Sequence, residues 1–350
     1  MSVFGTFNSR YNSCRFLSWG KSNLGTSRDG VEGAMMKILI GYDGSDCAEA
    51  ALDDLMRGGL PETAEAHIMS IAEVWLPPPP PSSYEIVEEA RKAHSPAELQ
   101  RDFAKLCPAA KEALTLARRA CERVQTKFPN WKVTADSSCG SAAWELVAKA
   151  DEWKPDLILV GSHGRTALGR FVLGSVSQRV LTEAHCSVRI ARGRVEEPDS
   201  PVRIIVGTDG SDASDEALRS VSTRTWPAGS EVKVVMVDDP LAPEFLGKII
   251  PSLEKMIEED RQMGRAWVEK ISKQSLDILR AADIKVTCVV REGDPKHELC
   301  KAAEEWGADC IFVGSAGFSN RFERFVLGSI SGAVAARAHC SVEVVRKSLK

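Results

Sequence analysis

The sequence predicts an α/β protein built from two successive copies of one domain, each with a parallel sheet. Three observations carry this. First, the chain repeats itself: Gly161-Ser-His-Gly164 followed by Arg170-Phe-Val-Leu-Gly174-Ser175 returns as Gly314-Ser-Ala-Gly317 followed by Arg324-Phe-Val-Leu-Gly328-Ser329. Gly41-Tyr-Asp43-Gly-Ser45 likewise returns as Gly207-Thr-Asp209-Gly-Ser211. A repeat this long is a duplicated domain, since the units of a solenoid are far shorter. Second, short apolar runs alternate with longer helical patterns in each copy, the order expected of parallel strands joined by right-handed crossovers. Third, runs such as Ile204-Ile-Val206 are apolar without alternation, as when helices cover both faces of a sheet.

In copy one, Lys37–Tyr42 reads as the first strand. Ser45 is placed to cap the next helix, where Ala48, Ala51, Leu52 and Leu55 fall at helical spacing. Ala66–Ala72 is the second strand. Pro77 to Pro81 exclude helix interior and central strand, so an extended loop follows. Ala97–Phe128 reads as a helix interrupted near Pro108, Lys132–Asp136 as the third strand and Ala142–Glu152 as a helix. Asp156–Val160 is the fourth strand, Gly174–Ala184 a helix and Ser187–Ala191 the fifth strand. Copy two repeats the order, with strands at Arg203–Val206, Val232–Val237, Lys285–Val290, Cys310–Val313 and Val342–Val345 and a long helix from Ser252 to Arg280. Asp43 and Asp209 share one offset with Pro61 and Pro227. The offset is shorter for Gly140 and Gly293, so copy one holds extra residues between its second and third strands. It lengthens by one between the paired glycine loops, where copy two holds an extra residue.

A length of 350 residues suits two domains. The boundaries expected are a disordered extension over 1–34, rich in Ser, Asn and Gly without hydrophobic periodicity, domain one over 35–192, a polar linker over 193–200 and domain two over 201–347. A net charge of −4 gives no reason to expect nucleic acid or an anionic membrane as partner. No apolar run approaches the roughly 20 residues of a membrane span. The 10 cysteines form no Cys-x-x-Cys pair and no zinc-spaced cluster, which reads as free thiols in a reducing cytoplasm. Cys186 and Cys340 each follow Ala-His. They read as small apolar residues opening a buried strand, with a redox role as the alternative.

Ligands of open α/β sheets bind beyond the carboxyl ends of the strands, at the switch point of strand order. Asp43 and Asp209 are expected at the ends of first strands, Gly161 and Gly314 at the ends of fourth strands, and Gly174 and Gly328 at the start of the following helix. A helix start offers unpaired N–H groups and partial positive charge to a phosphate. Glycine lets the backbone approach it, and Ser175 and Ser329 add a hydroxyl. Each piece also has a plain reading as a turn glycine or an N-cap; the paired recurrence of the set favours phosphate. There is no Gly-x-x-x-x-Gly-Lys-Ser/Thr, and no Gly-x-Gly-x-x-Gly follows a first strand, which excludes the common P-loop and dehydrogenase patterns.

Gly161-x2-Gly164-x9-Gly174-Ser175 resembles the signature of the nucleotide-binding branch of the universal stress protein family, and both halves resemble that domain in full. Copy two departs from it: ten residues separate Gly317 from Gly328, Phe318 replaces Arg165 and Ala316 replaces His163. The resemblance implies a doubly wound five-stranded sheet in order 3-2-1-4-5 per domain, like the adenine nucleotide alpha hydrolases. It implies a site for ATP, ADP or AMP, with or without Mg2+. Asp43 would contact the adenosine part and the backbone near Ile71 the adenine. Gly161 and Gly164 would line the ribose and phosphate path, and Gly174, Ser175 and the N–H of Val176 would hold phosphates. Asp209, Val237, Gly314, Gly317, Gly328, Ser329 and Ile330 are the matching residues of copy two. The resemblance also implies pairing through fifth strands, which a tandem chain makes within itself, with a homodimer as the other arrangement.

Three functions fit: a nucleotide-binding regulator of a stress response, a slow ATPase or autokinase using His163, or a partner-binding module in which nucleotide supports the fold. Hydrolysis needs a group placed to activate water, and copy two has Ala316 at that place. Residues 74–95 are expected to form a lid or partner surface in copy one alone.

Overall fold

Two runs of five strands form the sheet, and their central strands, too apolar to stand on a surface, are buried between helices. The computed structural model describes residues 35–73, 108–163, 173–192, 200–238, 251–280, 282, 284–315 and 327–347. Copy one comprises β1 (Met36–Gly41), α1 (Asp46–Asp54), β2 (Ala64–Ala72), α2 (Pro108–Lys127), β3 (Lys132–Cys139), α3 (Ala142–Trp153), β4 (Leu157–Gly161), α4 (Ser175–Glu183) and β5 (Ser187–Ala191). Copy two comprises β6 (Arg203–Gly207), α5 (Asp212–Ser222), β7 (Glu231–Asp238), α6 (Pro251–Leu279), β8 (Lys285–Glu292), α7 (Pro295–Trp306), β9 (Cys310–Gly314), α8 (Ser329–Arg337) and β10 (Ser341–Val345).

The strands form one sheet in the order β3-β2-β1-β4-β5-β10-β9-β6-β7-β8. Each half therefore follows the order 3-2-1-4-5, with all its pairs parallel. The halves join where β5 and β10 pair antiparallel. Central strands β4 and β5 are buried at every residue, whereas edge strand β3 alternates exposed and half-buried residues over most of its length, as one open side of a sheet requires.

The core reflects this join. One hydrophobic cluster is shared by both halves: Leu146 and Val180 of α3 and α4, Leu299 and Val334 of α7 and α8, with Val188 and Val342 of the joining strands between them. On the opposite face the halves keep separate cores, one around Leu52 and Ile40, the other around Leu218 and Val206.

Several boundaries differ from expectation for physical reasons. β3 runs to Cys139, past the expected Asp136, because β2 extends to Ala72 and pairs with it along the whole length. β8 reaches Glu292 in the same way, opposite Asp238. β1 and β6 stop at Gly41 and Gly207, so Asp43 and Asp209 lie in the turns beyond them rather than on the strand ends. Their carboxylates bind the backbone two residues on, a local bond that competes with the ladder. α2 begins at Pro108, a residue suited to a first helical turn. The expected extension over 1–34, the helix before Pro108, the Pro77–Pro81 loop with the 74–95 segment, linker residues 193–199, and Gly164 and Gly317 lie outside the described residues. No helix among the described residues is long and apolar enough to cross a membrane.

Candidate functional site

The carboxyl ends of β1, β2 and β4 border one notch. β1 pairs with β2 up to Gly41 opposite Met69, and the Tyr42 N–H closes the ladder on the Met69 carbonyl at 3.0 Å. β2 continues beside β3, so Ile71, opposite Ser138, stands past the end of β1. Val237 has the same place in copy two: Gly207 faces Val235, Thr208 N–H bonds the Val235 carbonyl at 3.0 Å, and Val237 lies beyond it, opposite Arg291.

The turn after β1 is built by its own side chains. Asp43 Oδ1 accepts from the Ser45 N–H at 3.0 Å and the Ser45 hydroxyl at 2.6 Å. Ser45 Oγ in turn accepts from the Ala48 N–H at 3.2 Å and caps α1. Gly44 holds φ 74° between them, a value glycine reaches without strain. Copy two repeats the arrangement with Asp209 accepting from Ser211 N–H at 3.0 Å and Ser211 capping α5 through the Ser214 N–H. Here Ile271 of α6 crosses the turn: a Cβ added to Gly210 would sit 1.9 Å from its Cδ1.

Gly161 and Gly314 are small for a reason the motif does not announce. A Cβ on Gly161 would lie 3.0 Å from the Cys47 carbonyl oxygen, and one on Gly314 would lie 2.5 Å from the carbonyl carbon and oxygen of Ala213. The first turns of α1 and α5 therefore rest directly on the ends of β4 and β9. The strand end and the start of the following helix form a clasp. Gly174 N–H donates to the Ser162 carbonyl at 2.8 Å, and the Ser177 hydroxyl donates to the Gly161 carbonyl at 2.6 Å. In copy two Gly328 N–H reaches Ser315 and the Ser331 hydroxyl reaches Gly314, each at 2.5 Å. The two ends of each glycine loop are thus fixed side by side.

The clasp leaves the start of α4 open. Gly174 is the N-cap, has no side chain to offer and is extended at φ −62°, ψ 151°. Among the described residues the N–H groups of Ser175 and Val176 find no partner, and no side chain caps the helix, whereas in α1 and α5 a serine takes the third N–H, that of Ala48 and of Ser214. Ser175 is exposed and Val176 half-buried. α8 opens in the same way at Gly328, with Ser329 and Ile330 exposed.

His163 adjoins the clasp, with Nδ1 3.1 Å from Ser162 Oγ. Burial, then the Arg192 guanidinium, hold its pKa below the ordinary 6.5, so the ring is neutral at pH 7. Burial pushes the Cys186 thiol up to about 12 and that of Cys340 well above its ordinary range. Both stay protonated, which fits the apolar reading and removes the thiolate that redox chemistry needs.

The structure thus gathers Asp43, Ile71, Gly161, Gly174, Ser175 and Val176 at one set of strand ends, and Asp209, Val237, Gly314, Gly328, Ser329 and Ile330 at the other. The reading from sequence missed the clasp residues Ser162, Ser177, Ser315 and Ser331. The duplicated Gly-Ser-x-Ser at 174–177 and 328–331 was the available signal.

Fold and site together define a duplicated open α/β sheet with a glycine-opened helix beside its switch point. Residues 35–192 and 202–346 each match the universal stress protein family, and the chain belongs to that family. A universal stress protein of Mycobacterium tuberculosis is 26% identical over 322 residues, spanning 89% of this chain and 97% of its own. One of Methanocaldococcus jannaschii is 32% identical over 149 residues, 42% of this chain and 84% of its own. The solved universal stress protein from Archaeoglobus fulgidus DSM 4304 superposes with a TM-score of 0.54 at 21% identity, covering 89% of this chain and 98% of its own; that likeness concerns fold. Another solved universal stress protein, 23% identical over 41% of this chain and 96% of its own with a TM-score of 0.29, is a complex with cAMP.

Proposed function

We propose that copy one binds ATP, or the related ADP or AMP, at the carboxyl ends of β1, β2 and β4, and that binding serves as a regulatory state in a cytoplasmic stress response. The start of α4 carries this reading: an uncapped N-terminus with two backbone N–H groups that find no partner among the described residues, where partial positive charge favours phosphate. In this reading Asp43 and the backbone at Ile71 take the adenosine part. Gly161 and Gly164 line the ribose and phosphate path, and Gly174, Ser175 and Val176 hold the phosphates. No group of three His, Cys, Asp or Glu among the described residues is arranged to hold a metal ion, so Mg2+ would enter on the phosphates. Copy two binds more weakly, because Ile271 crosses the Asp209 turn and its glycine loop holds one more residue. Domains 35–192 and 201–347 pair within the chain, which then works as a closed monomer.

Calorimetry with ATP and Mg2+ tests this, with ADP, AMP and cAMP as comparison ligands. Ser175→Pro removes one cradle N–H and the hydroxyl at a first helical position where proline is tolerated, and Gly174 before it is already extended as proline requires. The variant should keep its Tm and bind ATP about tenfold more weakly. No heat at millimolar ATP with the unmodified chain would end the proposal.

Slow ATP turnover is the second reading. It is favoured by the neutral His163 ring, whose buried Nε2 finds no hydrogen-bond partner among the described residues. Steady ADP release that disappears in His163→Ala supports it; a thermal shift without ADP release supports binding alone. No shift at all leaves the partner-binding module.

A further inference from the structure

β5 and β10 meet with Arg189 directly opposite Glu343, Val188 opposite Val344 and Ile190 opposite Val342. Arg189 and Glu343 hold the same place in the repeat, each three residues beyond the cysteine of Ala-His-Cys. The axis relating the two halves therefore passes through this pair. A residue on such an axis faces itself whenever two like edges pair.

Both side chains are buried, at 1% and 0% exposure, in the gap between the two separate cores. They belong to a row of four. Asp54 of copy one accepts from Arg189 Nε at 2.5 Å and Nη2 at 3.1 Å. Arg189 Nη1 donates to Glu343 Oε2 at 3.3 Å. Arg224 of copy two donates to the other Glu343 oxygen and, through Nη1, to the Gly58 carbonyl of copy one at 2.8 Å. Burial alone would lower the Arg189 pKa; Asp54 foremost, with Cys310 and Glu343, raises it instead, so the guanidinium stays charged.

Across the seam the charges run minus, plus, minus, plus. Two copy-one edges would give minus, plus, plus, minus, and two copy-two edges plus, minus, minus, plus. Each of these places like charges face to face out of water, where their repulsion is strongest. Apolar residues of similar volume would hold a seam at least as well, so what the charges add is discrimination between partners.

We infer that this row is a recognition code. The β5 edge accepts an edge strand that brings a carboxylate opposite Arg189 and a guanidinium behind it, which is the second half of the same chain, and refuses another copy of itself. The code is independent of what the strand ends bind.

Full-length Glu343→Arg and Arg189→Glu chains test it. Alone, each places like charges on the axis. Amide exchange in β5 and β10 should then be about a hundredfold faster than in the unmodified chain. Mixed, the first half of the Glu343→Arg chain and the second half of the Arg189→Glu chain rebuild the native row, while the other two halves set like charges beside Asp54 and beside Arg224. The pair should form a 1:1 complex by native mass spectrometry and differential-tag capture, with protection restored in β5 of the Glu343→Arg chain and β10 of the Arg189→Glu chain. If either variant does not accumulate alone, co-expression should yield the soluble 1:1 complex. Unchanged protection in the single variants overturns the inference. So does lost protection without a mixed complex, and so does co-expression that yields no soluble complex.

Discussion

Adding one carbon to the glycine that ends β9 should cost far more than the same change at the end of β4. The added Cβ of Gly314→Ala falls 2.5 Å from the Ala213 carbonyl and 2.8 Å from the Ser214 nitrogen, all backbone. Ordinary contact begins at 3.4 Å, so the first turn of α5 must retreat by about 0.9 Å, and it is held by Ser211 as cap and by the core under Leu218. In Gly161→Ala the closest atom is the Cys47 carbonyl oxygen at 3.0 Å, a retreat of about 0.4 Å. Overpacking a rigid interior costs roughly 1–3 kcal/mol. Gly314→Ala should therefore lose about 3 kcal/mol and Gly161→Ala about 1 kcal/mol. Urea unfolding of each full-length variant measures this as a lower midpoint at unchanged slope. Equal losses, or a smaller loss at Gly314, would refute the claim that helix packing selects these glycines, and return them to ligand contact alone.

Three other outcomes are expected. Ser177→Ala and Ser331→Ala each strip a hydroxyl from a strand-end carbonyl and should cost about 1–2 kcal/mol in urea unfolding. Ser45→Ala removes the α1 cap together with a bond to Asp43. It should cost about 1 kcal/mol, with faster amide exchange at Ala48. The third concerns His67, whose pKa is lowered from 6.5 by burial and then by Lys149. Below pH 6.5 the unfolded chain takes up a proton the folded chain refuses. This contribution is therefore absent above pH 6.5 and destabilises progressively as pH falls toward the folded pKa, by at most about 1.4 kcal/mol per pH unit. His67→Gln should flatten that slope in pH-dependent melts; an unchanged slope would assign it to other groups.

The sequence by itself determined the duplication, the class and the elements. Strands such as Ile204-Ile-Val206 announce burial on both faces, because only a covered strand tolerates an unbroken apolar run. The repeated glycines and serines marked both candidate sites, since a helix opened by Gly-Ser is local chemistry. Their partners were not legible. That Gly161 carries α1, and that Ser177 ties α4 to β4, depends on elements far apart in the chain coming to rest at one strand end. The pairing of fifth strands was implied by the family resemblance, but the charge row inside that seam was equally hidden. Asp54, Arg189, Arg224 and Glu343 read singly as ordinary surface charges, and the repeat aligns Arg189 with Glu343 without saying that they meet. Only the antiparallel meeting of β5 and β10 puts Arg189 and Glu343 on one axis and takes both out of water. Local patterns are written in neighbouring residues, whereas the pairing of buried charges is decided by which edges the folded halves present to each other.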